Sequence, residues 1–206
     1  IPNPMHVYRT AGVLAGLGLS YGGATTEEDV VGLIFADQGI DLSKISGDIK
    51  IVSYLQGYGD TTTDEINAAI QAAPEAFISV GMATTFFTQQ LNAAGIEFSD
   101  IDSFTKSNGE AITNGKLVYL AGKYSSSVGP AFALVMNAIN GNVIRDAQGN
   151  AVSLSQNYQV ATDSETFDKF YKNDNGDNPI YSRDTLDQII GDTVTFDTIN
   201  EVVASN

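Results

Sequence analysis

Four short segments of this 206-residue chain gather side chains able to recognise a small polar molecule. They are Gly57-Tyr58-Gly59-Asp60, Gly81-Met82-Ala83-Thr84, Asp102-Ser103-Phe104-Thr105 and Gly122-Lys123-Tyr124-Ser125. Between them they offer aromatic rings, hydroxyls, carboxylates and an ammonium. Rings stack on the apolar face of a neutral, hydroxyl-rich molecule while Asp102 and Lys123 bond its hydroxyls. The candidate contacts are Tyr58, Asp60, Met82, Thr84, Asp102, Phe104, Lys123 and Tyr124. The same residue types also make ordinary loops, so the distinction rests on where the chain places them.

Much other chemistry is excluded by composition. Cys is absent, which removes thiolate zinc sites, iron–sulfur clusters, cysteine nucleophiles and disulfides. One histidine, His6, rules out a multi-histidine metal cage and most serine–histidine schemes, and its two flanking prolines suggest an exposed terminal residue. Lys and Arg total 10 against 25 Asp and Glu, for a net charge of −15. Such a surface repels phosphate backbones and anionic headgroups, so nucleic acid is not an expected partner. No spacing singles out a carboxylate pair for hydrolysis, so no enzyme is expected and no cofactor. Gly16-Leu-Gly18-Leu-Ser-Tyr-Gly22 has one residue too many between its last glycines for a dinucleotide fingerprint. Glu27-Glu28-Asp29 beyond it would repel a pyrophosphate, so a tight turn is the better account. Residues 173–178 (NDNGDN) carry calcium-loop oxygens without the closing bidentate Glu, which favours a solvated turn. Asp146 to Asn150 reads as a hairpin-like turn.

The elements that position the four segments alternate between strand and helix. Residues 13–21 are expected as a first strand, because four glycines between positions 12 and 22 penalise a helix by about 1 kcal/mol each. Thr25-Thr26-Glu27-Glu28 reads as a capping box with Thr25 as cap. Strands are expected over 50–56, 76–80, 101–104, 117–122 and 151–160, the second of them buried on both faces. Thr62 with Glu65 caps a helix that Pro74 stops. Residues 83–94 form a helix turning Phe86, Phe87, Leu91 and Ala94 inward, with Gly95 as its C-terminal cap. Residues 129–140 form another, with Phe132, Val135, Met136 and Ile139 expected inward. Thr162, Ser182 and Thr195 start three more.

Strands separated by helices imply right-handed βαβ crossovers, hence an α/β domain with a mainly parallel sheet flanked by helices. One lobe is expected over residues 1–206: an opening hinge segment to about 23, a βαβ core over 24–162 and a helical tail over 163–206. In such sheets ligands bind beyond the carboxyl ends of the strands, where the four segments fall.

Gly115-Lys116-Leu117, then a strand, a polar loop, Gly129 and a helix ending Asn137-Ala-Ile-Asn-Gly141, resembles the type I periplasmic sugar-binding proteins of ABC importers. Asp146…Gly149…Val152-Ser-Leu-Ser-Gln and Ile180-Tyr-Ser-Arg-Asp-Thr-Leu are similar to them too. The resemblance covers about residues 50–203. It implies a Rossmann-like lobe, the C-terminal one of a two-lobe clamshell, with the N-terminal lobe lost or supplied by another chain. It also implies a sugar-like solute, an ABC permease as partner, and a periplasmic or cell-surface location, with a lipid-anchored parent. Asp102 matches the family's ligand-contacting aspartate. The strand-end Asn-Asp of many relatives is replaced by Gly81-Met82, and a Gln by Lys123.

The export reading fits the opening Ile1-Pro-Asn-Pro4, which lacks an initiator Met and a basic leader and looks like a processed or truncated end. The longest apolar stretch, residues 11–19, falls short of the roughly 20 residues a bilayer span needs. Two alternatives share the fold. A transcriptional regulator's effector domain would need a basic DNA-reading segment, and a surface or filament subunit would assemble without a solute.

Overall fold

A computed structural model of the chain describes residues 3–56 and 61–205. It is mixed α/β, and its residues gather in two compact units. The first draws on Ile1–Ile101 with Gly115–Val118; the second on Asp102–Asn114 with Tyr119–Asn206.

In the first unit the chain opens as a helix, α1 (Pro4–Gly16), which overturns the expected strand over residues 13–21. Asn3 accepts a bond from the Met5 amide at 3.0 Å, and Pro4 supplies the preset φ of a first helical residue. Only Gly12 and Gly16 of the four glycines lie in the helix. Gly18 and Gly22 sit beyond it at φ +70° and +58°, where glycine is favoured, so the helix penalty was counted twice over. The turn expected in place of a nucleotide loop is therefore what these glycines form. Val7, Ala11 and Leu14 make the buried stripe.

That stripe packs with Val30, Val31 and Ile34 of α2 (Glu27–Ala36), around Leu19 and the Tyr21 of the short strand β1 (Ser20–Tyr21) that follows it. The cap of α2 is Thr26, one residue later than expected, with Asp29 in the third position rather than Glu28. Strand β2 (Ile45–Ser46) runs antiparallel to β1. The buried Tyr21 hydroxyl donates to Asp37 Oδ2 at 2.7 Å and accepts the Asp41 amide at 3.0 Å.

Residues 50–56 form no strand. Their exposure alternates, yet no ladder holds the segment among the described residues. The Thr62–Glu65 capping box is present at the start of α3 (Thr63–Gln71). Strand β3 is only Phe77–Ile78, and Ile78 is exposed, so the expectation of burial on both faces fails. The helix expected over 83–94 breaks at Phe87 into α4 (Ala83–Phe86) and α5 (Thr88–Ala94). Phe87 and Leu91 are buried, Ala94 is exposed, and Gly95 caps in the left-handed region as expected. Strand β4 is Phe98–Ile101, three residues earlier than expected; it pairs parallel with β3, Phe77 opposite Phe98.

In the second unit a helix that the sequence reading lacks, α6 (Lys106–Thr113), starts from a Thr105 cap. Strand β5 (Leu117–Gly122) has the expected bounds. Residues 120–122 pair antiparallel with β6 (Gln159–Ala161), the only laddered part of the strand expected over 151–160. Helix α8 (Ser164–Asp174) is capped by Asp163 rather than Thr162. Ser182 and Thr195 cap α9 (Arg183–Asp187) and α10 (Phe196–Ala204) as expected.

Between β5 and β6 lies α7 (Gly129–Ile139), and its orientation is the largest departure from expectation. It buries Gly129, Pro130, Ala133 and Asn137, not the bulky stripe. Gly129 admits the Tyr181 side chain, whose Cβ would lie 2.7 Å from an added Cβ. The buried Asn137 amide donates to the Ile189 carbonyl at 2.8 Å, and its oxygen accepts the Gly191 amide at 2.8 Å. A paired polar side chain and close small-residue packing thus outcompete periodicity. Phe132, Val135 and Ile139 are exposed.

Candidate ligand-binding site

The eight candidate contacts distribute unevenly. Tyr58 and Asp60 lie outside the described residues. Met82 and Thr84 belong to the first unit, and Asp102, Phe104, Lys123 and Tyr124 to the second.

In the second unit, the backbone brings the last four together where β5 ends. The Asp102 amide donates to the Ala121 carbonyl at 3.1 Å and the Phe104 amide to the Lys123 carbonyl at 2.9 Å. Donor and acceptor advance in step, the mark of parallel pairing. The approach is close enough that a Cβ on Gly122 would lie 1.8 Å from the Asp102 carbonyl oxygen. Glycine is therefore required there to hold Asp102 beside the strand end.

Asp102 is half-buried and held by Asn108, whose Nδ2 donates to Asp102 Oδ2 at 3.3 Å and to the Ser103 carbonyl at 2.7 Å. Asn108 is itself buried, and its Oδ1 has no hydrogen-bond partner among the described residues. It belongs to the first turn of α6, where the Thr105 hydroxyl accepts its amide at 3.3 Å. Thr105 spaced three residues from Asn108 is the one local signal for this arrangement. Lys123 is exposed.

Phe104 and Tyr124 take part in packing. Phe104 is buried with its ring 5.3 Å from those of Phe167 and Phe170. Tyr124 is buried against Tyr181, ring centroids 6.3 Å apart and nearly parallel. Burial pushes both phenols above their usual range, Tyr181 further because Tyr124 stands beside it. Both stay neutral at ordinary pH and act only as hydrogen-bonding groups.

The acidic loop over residues 173–178 is an exposed turn, as expected, except at Asp174. The Asp174 carboxylate is buried and accepts the Ser126 amide at 2.7 Å, the Ser126 hydroxyl, and the Ile180 amide at 3.2 Å. The Ser125 hydroxyl donates to Asn175 Oδ1 at 2.7 Å. These oxygens brace the turn that follows Tyr124. Among the described residues no cluster of His, Asp and Glu could hold a metal ion. The turn at Asp146 is as expected, its carboxylate accepting the Gln148 and Asn150 amides at 3.0 and 2.7 Å. Those backbone donors, Asn150 first, hold its pKa down. A groove of about 270 Å³ runs between α6 and α8 over Phe167 and Tyr171, and none of the eight candidates lines it.

In the first unit the strand ends are differently furnished. Arg9 of α1 donates to the Val80 carbonyl at 2.8 Å and the Ile101 carbonyl at 3.2 Å. His6 joins it near Gly81, and is half-buried rather than exposed as its sequence position suggested. Burial, and secondarily the Arg9 charge, hold the imidazole below its usual pKa. Met82 adopts φ +64°, rare for a side chain of its size, and caps α4. The buried Asp100 carboxylate accepts the Ala83 amide at 2.7 Å. The Thr84 hydroxyl is buried with no hydrogen-bond partner as acceptor or donor among the described residues.

Among the described residues no helix is long and apolar enough to cross a membrane. Compared with known proteins, the chain matches no family model, no curated protein and no solved structure.

Proposed function

We propose that the second unit binds a neutral, hydroxyl-rich solute of the sugar type at Asp102, as a non-enzymatic lobe of an exported ABC-importer binding protein. The observation that carries this reading is the Asp102 carboxylate, half-exposed beyond a strand end and oriented by the buried amide of Asn108. A carboxylate accepts two hydroxyl donors at once, and Lys123 supplies an ammonium donor on the neighbouring strand end. The sequence resemblance supplies the class of solute and the mechanism. Contacts complete themselves only when a second lobe closes over the solute, so binding shifts an open–closed equilibrium and presents the closed form to a permease.

A thermal-shift screen with neutral monosaccharides and polyols tests the reading. A sugar that raises the melting temperature of the chain, but not of an Asp102→Ala variant, supports it. A stabilising sugar that acts equally on both removes Asp102 from the site.

A further inference from the structure

We infer that the exposed apolar face of α7 pairs with the same face of a second copy of the chain. Val128, Phe132, Val135 and Ile139 are 67, 51, 57 and 71% exposed, and Val143 continues the row beyond the helix at 52%. From Val128 to Ile139 the successive spacings of four, three and four residues are those of a coiled-coil seam, in which each side chain enters a hole on the facing helix. Such a seam is self-complementary, which suits a two-fold interface built from one surface patch.

Area and charge favour the second copy. The five side chains expose roughly 500 Å² of apolar surface, so a symmetric pair buries about the 1,000 Å² that a specific interface requires. One copy's roughly 500 Å² is the scale of the largest apolar patch on a typical monomer, which is often functional. No charged residue occurs between Lys123 and Arg145, in a chain carrying −15 overall. The helix and its flanks therefore bring no carboxylate of their own into the face. The remaining repulsion is long-range and screened by salt.

Sedimentation equilibrium of the chain over a range of concentrations, at low and high salt, reads the result. The expected weight rises with concentration from 21.8 kDa toward about twice that, with tighter pairing in high salt. Ile139→Glu and, separately, Val135→Ser weaken the dimer by about tenfold or more, while the far-UV spectrum and the melting curve taken at dilutions where the parent chain is itself monomeric stay unchanged. Because both positions are exposed, the two variants separate loss of pairing from loss of fold. A chain that stays monomeric throughout overturns the inference, as does a dimer that both variants leave intact. A monomer that instead binds neutral lipid vesicles through this face also overturns it.

Discussion

The strand ends of the two units are furnished differently. In the first unit, Arg9 caps the carbonyls of Val80 and Ile101 with its guanidinium, and His6 packs beside it. A cation from the chain itself occupies the place where a ligand would bond. In the second unit, the end of β5 lies instead beside the Asp102 carboxylate, held by the Asn108 amide. A strand end is thus a place where polar groups must be satisfied, and a neighbouring helix can do that as well as a solute. Position at the edge of a sheet does not by itself make a binding site.

The largest effect expected from perturbing this contrast lies at two glycines. Gly122→Ala forces a Cβ against the Asp102 carbonyl and should cost about 3 kcal/mol in urea unfolding. At Gly81 an added Cβ meets Arg9 and His6 nitrogens at 3.4 Å, ordinary contact, so Gly81→Ala should cost under about 1 kcal/mol. Equal costs would erase the difference in how tightly the two strand ends are drawn.

Next in size is Arg9→Met, which keeps the aliphatic stem and removes the donor from two carbonyls; a loss of about 2 kcal/mol is expected in the same assay. A neutral result would mean that water serves these carbonyls equally well. Asn108→Ala should lower stability by about 1 kcal/mol through the lost bond to the Ser103 carbonyl, and should weaken any solute binding further by freeing Asp102. Binding unchanged in this variant would show that Asp102 needs no orienting partner.

The smallest effect is a pH dependence centred on His6. Its folded-state pKa is lowered, so the unfolded chain takes up the proton first as pH falls. Stability should therefore decline between about pH 7 and 5, and His6→Gln should remove that step from the melting-temperature profile. Capping carboxylates act lower. Glu65 is held down by the Thr62 amide and hydroxyl, and Asp163 by Thr166, so their contribution is lost only below about pH 4.

Legibility in the sequence followed the range of the interaction. Most caps and turns written within four residues were readable, namely Thr62 with Glu65, Ser182, Thr195, Gly95 and the Asp146 turn, while the caps of α2 and α8 fall one residue after the expected Thr25 and Thr162. Strand β5 was readable because its apolar run is bounded by Gly115 and Gly122. Failures came where a distant partner decides. Residues 50–56 alternate like a strand but find no ladder, and α7 turns its large side chains outward because Asn137 is claimed by the chain at Ile189 and Gly191. Helix α6 is polar and contains Gly109, so apart from its Thr105 cap nothing in its own pattern announces it; the Phe167 ring takes the space a Cβ at Gly109 would fill. Asp102 was singled out from sequence, whereas Asn108, which holds it, was invisible for the same reason. Phe104 and Tyr124 were chosen for their rings, and those rings serve packing.

The most direct test of the claim that Asp102 marks a solute site is amide NMR of the chain titrated with a panel of neutral sugars. The account predicts that one sugar shifts the amides of Asp102, Ser103, Asn108 and Lys123 in a saturable way, leaves Gly81 and Met82 unmoved, and loses its effect in Asp102→Asn. Saturable shifts confined to the first unit, or shifts around Asp102 that persist in Asp102→Asn, would contradict it.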